Sequence, residues 1–271
     1  MAPTNTAKTG TLSLGPYVAM VYLLAVPFWL AGINGRHLLG KPIPIDLPVS
    51  ALAAFVPAVA AIIIVWWNHG WRGAAELLGS AIDIWKIEDR RWLLPAFLLM
   101  PCLLALEYGL MAVTGRSLRD PMFSLAVLPQ YFAIFFVSAI GEELGWQGYA
   151  VASLEARCTA LQTGLIVGLI WAVWHIIPYL QTNHGVDWVT WQCAQTVLGR
   201  LLMVWLSNNA NGSVFIAIVF HMMINVSEFI FPNYGSHYDP FLNTMFMGAV
   251  ASLVVFLWGS RTLSRFRFVR S

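Results

Sequence analysis

The chain has 271 residues, of which 59% are hydrophobic and only 10% are charged. Soluble globular domains carry about 25% charged residues, so this composition excludes an ordinary soluble protein and predicts an integral membrane protein. The formal net charge of +2 is too small to indicate a nucleic-acid-binding protein. The three cysteines are scattered without a CxxC pair, and their odd count indicates no disulfide framework.

Eight apolar stretches are long enough to cross a bilayer as helices. They lie at residues 16–33, 51–67, 92–113, 129–151, 160–180, 188–206, 213–231 and 241–258. The first is too long for the apolar region of a secretory signal peptide, so we expect a retained helix. The sixth is the weakest, since Gln192, Gln195 and Arg200 interrupt it. We therefore predict an all-α, polytopic membrane helix bundle of about eight transmembrane helices, in one domain over 1–271 with its motif core at 130–230.

The distribution of lysine and arginine predicts the orientation of this bundle. With eight spans, both termini lie on one side, and that side holds eleven of the 15 basic residues. These are Lys8, Arg72, Lys86, Arg90, Arg91, Arg157, Arg200, Arg261, Arg265, Arg267 and Arg270. The opposite side holds Arg36, Lys41, Arg116 and Arg119. Because cytoplasmic loops carry the excess of positive charge, we predict that both termini are cytoplasmic.

The segment 71–91, between the second and third spans, mixes charged and apolar side chains. This mixture predicts an amphipathic helix that lies on the cytoplasmic interface. The side chains expected to face lipid are Trp71, Leu77, Leu78, Ile82 and Trp85. The four arginines of the C-terminal tail predict anchoring at the membrane surface rather than RNA binding, since no aromatic-and-glycine RNA pattern accompanies them.

Two adjacent glutamates, Glu142 and Glu143, interrupt the fourth apolar stretch. A carboxylate at bilayer depth costs roughly 2.5–3.5 kcal/mol, so two of them side by side predict a function rather than packing. Adjacent helical residues point about 100° apart, so the two carboxylates face different partners. Gly141, Gly145 and Gly148 allow close helix approach, or leave room for a water molecule or a substrate.

Two other apolar helices each carry a histidine. The fifth contains His175, with Trp171 one turn earlier on the same face. The seventh contains His221 and Asn225, which are four residues apart and therefore also share a face. Counting along each helix places both histidines and Glu142 in the central part of a hydrocarbon core about 30 Å thick. Three helices thus bring ionisable groups to similar depths.

Each of these polar groups also has a purely structural interpretation. A single histidine in a membrane helix often bonds to a neighbouring carbonyl, and Asn225 alone would join two helices. Glu107 in the third span competes with the glutamate pair as a functional carboxylate, whereas Glu228 lies near an interface and reaches water. The combination of two carboxylates, two histidines and an asparagine is much less expected by chance than any one member.

This set of residues suits the hydrolysis of an amide bond. A glutamate in a dry site serves as a general base near neutral pH, and a neighbouring histidine shares that work. A histidine and an asparagine on a facing helix donate hydrogen bonds to an oxyanion. Alternatively, Glu142, His175 and His221 hold a divalent metal such as zinc. The sequence contains neither the HExxH motif of zincins nor the GxSxG motif of serine hydrolases.

The order of the motifs resembles a known family. An EE-x-x-x-R motif, an aromatic-x-x-x-H motif and an H-x-x-x-N motif on separate membrane helices mark the CAAX-protease and bacteriocin-processing (CPBP, or Abi) intramembrane proteases. Here the stretches read GEELGWQGYA, WAVWHIIPYL and FIAIVFHMMINV, in the family's order. They run from Glu142 to Asn225 and cover about a third of the chain. Eight helices also fit the family's fold.

The resemblance implies a role for each site residue. Glu142 matches the glutamate that activates the attacking water together with His175, and Glu143 matches a second, orienting carboxylate. His221 and Asn225 match the oxyanion-stabilising pair. The resemblance also implies an intramembrane endopeptidase, a peptide or protein substrate at the lipid bilayer, no nucleic-acid partner, and a bacterial cell membrane location. It leaves open whether hydrolysis depends on a metal or on glutamate alone.

One position departs from the family's motif, because the motif's arginine falls at Gln147. An arginine there would pair with Glu143 at i, i+4, whereas a glutamine donates only a neutral hydrogen bond. We therefore expect Glu143 to be easier to protonate than in the family. The departure keeps open a non-catalytic membrane immunity or scaffold protein of the same fold. A proton-coupled transporter is a third possibility, although no broken-helix repeat is evident.

Overall fold

A computed structural model describes residues 13–33, 47–118, 126–182, 184–231, 235, 237–264 and 266–267. Long helices account for most of these residues. They are α1 (Leu14–Gly32), α2 (Val56–Gly79), α3 (Leu93–Val113), α4 (Leu128–Gly145), α5 (Ala160–Gln181), α6 (Val186–Asn209), α7 (Val214–Ile230) and α8 (Pro240–Trp258). α4 continues through a π-helical turn at Trp146–Val151 into a short helix at Ala152–Glu155.

These helices confirm the predicted all-α membrane bundle, and each follows one of the predicted spans. Within the described residues, the segments of α1, α2, α3, α5 and α8 are long and apolar enough to cross a membrane. α7 is apolar but shorter, with 17 residues. The two remaining helices, α4 and α6, carry the glutamate pair and Arg200 respectively. The chain is therefore an integral membrane protein.

Polar caps set the starts of three helices. Thr159 and Gln162 form a reciprocal capping box at the start of α5. The Ser213 hydroxyl accepts a hydrogen bond from the Ile216 backbone N–H and so begins α7. The Asp239 carboxylate caps α8 by accepting from the first backbone N–H groups of that helix. Because these ends are capped, the register of α5 and α7, and hence the depth of their histidines, is well defined.

The segment 71–91 differs in part from the predicted interfacial helix. α2 kinks at Gly70, whose φ of 68° is a left-handed conformation that suits glycine, and then continues to Gly79. Short 3-10 turns follow it. Of the five side chains predicted to face lipid, Trp71, Leu78, Ile82 and Trp85 are exposed. The prediction for Leu77 is wrong, because this side chain is buried and fills the space beside Gly148, which has no side chain of its own.

The bundle buries its middle helices. α6 packs against α5 and α8, while α4 packs against α2 and α7. All of residues 199–207 in α6 and 216–224 in α7 are buried. These stretches include Arg200 and His221, which therefore need partners within the bundle, because an unpaired polar group in a membrane interior is costly.

Two glycines of α4 bring its backbone against the chain around the start of α2. A Cβ atom on Gly141 would lie 2.7 Å from the Ala54 carbonyl oxygen. A Cβ atom on Gly145 would lie 2.4 Å from both the Pro57 carbonyl oxygen and the Tyr17 hydroxyl oxygen. Side-chain carbons do not approach oxygen atoms this closely. Of the two roles expected for these glycines, the structure shows close approach, which holds the intervening glutamate pair inside the bundle.

Replacing Gly145 with alanine should destabilise the folded protein by about 1–3 kcal/mol, because the added methyl group overpacks this contact. Thermal unfolding in detergent, followed by tryptophan fluorescence, measures the effect. Gly109→Ala is the matched control, since Gly109 lies in α3 with no atom within 4 Å of the added Cβ. Its unfolding midpoint should be unchanged or slightly raised, because alanine favours helix. Equal midpoints for the two variants would contradict the packing argument.

Part of the orientation prediction lies outside the described residues. The basic residues concerned are Lys8, Arg36, Lys41, Arg119, Arg265 and Arg270. The cytoplasmic placement of both termini, the surface anchoring by the tail arginines and the single domain over 1–271 stay predictions.

Candidate active site

Glu142 lies near the end of α4 and is almost completely buried. Its carboxylate accepts a hydrogen bond of 2.7 Å from the indole Nε1–H of Trp171 on α5. Charge-assisted hydrogen bonds of this kind hold a carboxylate in one orientation. The structure thus places Trp171 against Glu142 as well as one turn before His175 on α5; a supporting role for Trp171 stays a prediction.

His175 presents its second ring nitrogen to Glu142. Its Nδ1 lies 3.0 Å from the backbone carbonyl oxygen of Trp171. A carbonyl oxygen only accepts, so Nδ1 carries the proton and Nε2 is unprotonated in the neutral ring. Nε2 lies 3.8 Å from Glu142 Oε2, which is beyond direct hydrogen-bond length. The His175 side chain keeps 15% of its surface exposed, whereas Glu142 is almost completely buried.

Aromatic rings fix the orientation of the His175 imidazole. The ring stacks on Tyr179 with the centroids 5.2 Å apart, and it meets Trp171 and Trp174 edge-on. Such contacts are worth about 0.5–1.5 kcal/mol each beyond the burial of surface. The imidazole is therefore held in place from three sides before any substrate binds.

Glu143 points away from Glu142 and is fully buried. Arg200 donates to both of its oxygens, with Nη2 2.8 Å from Oε1 and Nη1 2.5 Å from Oε2. His221 Nδ1 lies 2.9 Å from Oε1 and donates the third hydrogen bond. This arrangement confirms the expectation that the two glutamates face different partners. Glu142 faces α5, whereas Glu143 faces α6 and α7.

Arg200 is the residue that the sequence reasoning missed. The sequence predicts Arg200 to be one of the cytoplasmic charges and an interruption of the sixth span, but the side chain is fully buried within α6. Its guanidinium carbon lies 4.3 Å from the ring centroid of Trp171, so it also contacts the residue that holds Glu142. The cost of an arginine inside an apolar stretch was the available signal for a partner. When Arg200 is left out of the count, the predicted cytoplasmic side still holds ten basic residues.

Gln147 does not take the place that its spacing from Glu143 suggested. It lies in the π-helical turn after α4, and its Oε1 is buried without a hydrogen bond to any residue that the structure describes. The hydrogen bonds to Glu143 come instead from Arg200 and His221. The expectation that Glu143 lacks an arginine partner is therefore wrong, because the partner comes from a different helix.

His221 and Asn225 share a face of α7, as predicted, but only His221 is hydrogen-bonded to another described side chain. His221 is buried, and its Nδ1–H is committed to Glu143. Its ring packs edge-on against Trp171, with the centroids 5.1 Å apart. Asn225 is partly exposed and makes no hydrogen bond to another described residue. Its amide group is therefore available to a ligand.

Glu107, the competing carboxylate, and Glu228, the carboxylate expected near an interface, have structural partners of their own. Glu107 is fully buried and accepts hydrogen bonds from the Asp239 backbone N–H and the Asn243 amide, which fastens the start of α8 to α3. Glu228 accepts a hydrogen bond of 2.6 Å from Gln195 on α6. Seven residues separate Glu228 from His221, or about 10 Å along the helix. Neither carboxylate contacts the glutamate pair.

A metal site at Glu142, His175 and His221 stays a prediction. Among the residues that the structure describes, no group of three His, Cys, Asp or Glu side chains is placed to hold a metal ion. His221 directs Nδ1 at Glu143, and His175 directs Nδ1 at a backbone carbonyl. We therefore derive no step through a metal.

The site thus brings two carboxylates, two imidazoles and a guanidinium together between α4, α5, α6 and α7. A buried set of this kind within a helical membrane bundle is typical of membrane proteins that carry out chemistry inside the bilayer. Its elements come from four separate helices, so the tertiary fold assembles it.

Comparisons with known proteins narrow this class. Residues 123–227 match the sequence model of a family described as type II CAAX prenyl endopeptidase Rce1-like. The chain is also 28% identical over 145 residues to the CAAX prenyl protease 2 of Methanococcus maripaludis. That similarity covers 50% of this chain and 53% of the relative, so the chain spans about half the length of the curated relative it matches. Both findings confirm the resemblance to the CPBP intramembrane proteases that the three motifs carry.

Proposed function

We propose that this protein is an intramembrane endopeptidase that hydrolyses a peptide bond of a membrane-associated peptide or protein. The observation that carries the proposal is the 3.8 Å separation of Glu142 Oε2 and His175 Nε2. Both groups are hydrogen-bond acceptors in the protonation states described above. A polar gap of this length between two acceptors suits one water molecule that donates a hydrogen bond to each.

Glu142 and His175 act together on that water. As the water oxygen attacks the carbonyl carbon of the scissile bond, one of its protons passes to Glu142 or His175. The carbonyl π-electrons move to oxygen and form a tetrahedral oxyanion. When the C–N bond breaks, the same proton goes to the leaving amine, so the site returns to its starting state without a covalent intermediate.

Asn225 and His221 stabilise the oxyanion. Asn225 donates an amide N–H in any state, since its side chain has no partner among the described residues. His221 already donates Nδ1–H to Glu143, so its Nε2 donates only when the ring is an imidazolium.

The comparison and the location of the site support two candidate substrate classes. The relative's name identifies it as a prenyl protease, so a peptide with a lipidated C-terminal CaaX sequence is one candidate substrate. An unlipidated apolar peptide is the other, as the bacteriocin-processing members of the resembling family suggest. We further propose a bacterial cell membrane as the location.

The alternative of a non-catalytic immunity or scaffold protein depended on Gln147. That support weakens, because Arg200 gives Glu143 the arginine partner that the motif would place at position 147. No other observation in the described residues favours this alternative over hydrolysis.

A cleavage assay with purified protein in liposomes tests the proposal. The panel contains a farnesylated CaaX peptide, its unlipidated form and an apolar peptide, with products identified by mass. Wild-type protein should cleave at least one of them, and Glu142→Ala and His175→Ala should not. Equal cleavage by all three proteins would show that Glu142 and His175 take no part in the reaction. If wild type cleaves none of the peptides, the proposed peptidase function is contradicted.

Chelation distinguishes the two mechanisms left open by the resemblance. Under the glutamate mechanism, treatment with a zinc chelator leaves the cleavage rate unchanged. Under the metal mechanism, the rate falls and returns when zinc is added back.

A further inference from the structure

We infer that Arg200 is a positioning residue that replaces the arginine of the EE-x-x-x-R motif from another helix. The inference rests on the proposed hydrolytic function and adds to it a residue that no motif contains. In the motif, the cation lies one turn after the second glutamate on the same helix, which here is Gln147. In this chain the cation comes from the middle of α6 and reaches the same carboxylate across the bundle.

Arg200 and Glu143 form a specific, buried ion pair. Both partners are completely buried, and two parallel hydrogen bonds join the guanidinium to the carboxylate. Bidentate pairs fix orientation as well as charge. Since Glu143 also accepts from His221, its position decides where the His221 ring lies.

Arg200 also reaches the other half of the site. Its guanidinium lies over Trp171, and Trp171 donates to Glu142. One side chain therefore supports both glutamates, one by an ion pair and the other through an indole ring. An arginine at position 147 would come from the π-helical turn after α4, and it would not make the same contact with Trp171 from α6.

Small residues on α5 allow α6 to bring Arg200 this close. A Cβ atom on Gly168 would lie 3.0 Å from Val197 Cα and 3.2 Å from Arg200 Cβ. One on Gly164 would lie 3.0 Å from Leu201 Cδ1. The helices therefore approach one another closely at the level of the arginine, which directs its side chain inward toward α4.

Moving the arginine from position 200 to position 147 tests the inference. Arg200→Leu should lower kcat for peptide cleavage by about 100-fold with little change in KM, because misplaced catalytic groups slow the chemical step more than binding. The double variant Arg200→Leu with Gln147→Arg should recover at least a tenth of the wild-type kcat, since it restores a cation beside Glu143. Arg91→Leu is the control, because Arg91 forms an equivalent two-oxygen pair with Asp89 on the exposed surface. Its kcat should match wild type.

Thermal unfolding separates this inference from the proposed function. Arg200→Leu should lower the unfolding midpoint and the double variant should raise it again, whether or not any peptide is cleaved. Activity in Arg200→Leu equal to wild type would overturn the inference. A double variant that regains its unfolding midpoint but not its kcat would also overturn it, since a positioning role requires recovery of both. If wild type cleaves no peptide, the proposed peptidase function is contradicted. The unfolding midpoint of the double variant then tests the ion pair with Glu143 by itself.

Discussion

Glu142→Gln should lower kcat for peptide cleavage by about 10²–10⁴-fold, the range associated with loss of a general base. Glutamine has the shape of glutamate, and its amide oxygen still accepts the hydrogen bond from Trp171 Nε1. It cannot take a proton from water, so the variant removes the chemistry and keeps the packing. KM should change little, because the substrate-binding surface is preserved. Steady-state cleavage of the peptide that wild type prefers measures both constants.

A matched control and a double variant make this result specific. Glu155→Gln changes a glutamate bonded to Asn208, away from the gap between Glu142 and His175, and should leave kcat unchanged. Combining Glu142→Gln with His175→Ala should cost little more than the single change, because residues that act on one water molecule are not additive. Strictly additive losses would show that the two side chains act in separate steps.

Asn225→Ala should lower kcat by about 10²–10³-fold, as expected for removal of one oxyanion donor. The side chain is partly exposed and has no partner among the described residues, so its loss leaves no buried group unpaired. The folded protein should therefore keep its unfolding midpoint, in contrast to Arg200→Leu. Single-turnover cleavage rates, measured beside thermal unfolding, separate the two effects.

Two further variants define the role of Asn225. Asn225→Asp keeps the size but replaces the N–H donors with an acceptor, so it should be at least as inactive as alanine. Asn68→Ala is the control, because Asn68 lies exposed on α2 and bonds to its own helix at the Ile64 carbonyl. Full activity in Asn225→Asp would exclude an oxyanion donor at this position.

The sequence predicts the helices well because membrane spans have a strong local signal. Each apolar stretch must satisfy its own backbone hydrogen bonds, so length and hydropathy indicate a helix without knowledge of its neighbours. The same local geometry places His221 with Asn225, and Trp171 with His175, since residues four apart share a face. Separation of the two glutamates by about 100° also follows from one helix alone. The structure has all three arrangements.

Contacts between helices were harder to predict. The sequence showed Arg200 only as a charge in a weak span and Leu77 only as an apolar residue on an amphipathic segment. The choice of partner for Arg200 depends on how α6 is rotated and how closely it approaches α4 and α5. The burial of Leu77 depends on the kink at Gly70 and on the missing side chain at Gly148.

The amino-acid sequence alone is sufficient to predict an all-α membrane protein whose spans carry two glutamates, two histidines and an asparagine at similar depth. Periodicity within single helices and the cost of polar groups in lipid are sufficient for that conclusion. The packing of the helices establishes that Glu143 pairs with an arginine, that His175 turns its unprotonated Nε2 toward Glu142, and that His221 donates to Glu143. These arrangements join residues far apart in the chain, and they exist only once the packed helices have fixed each side chain's neighbours.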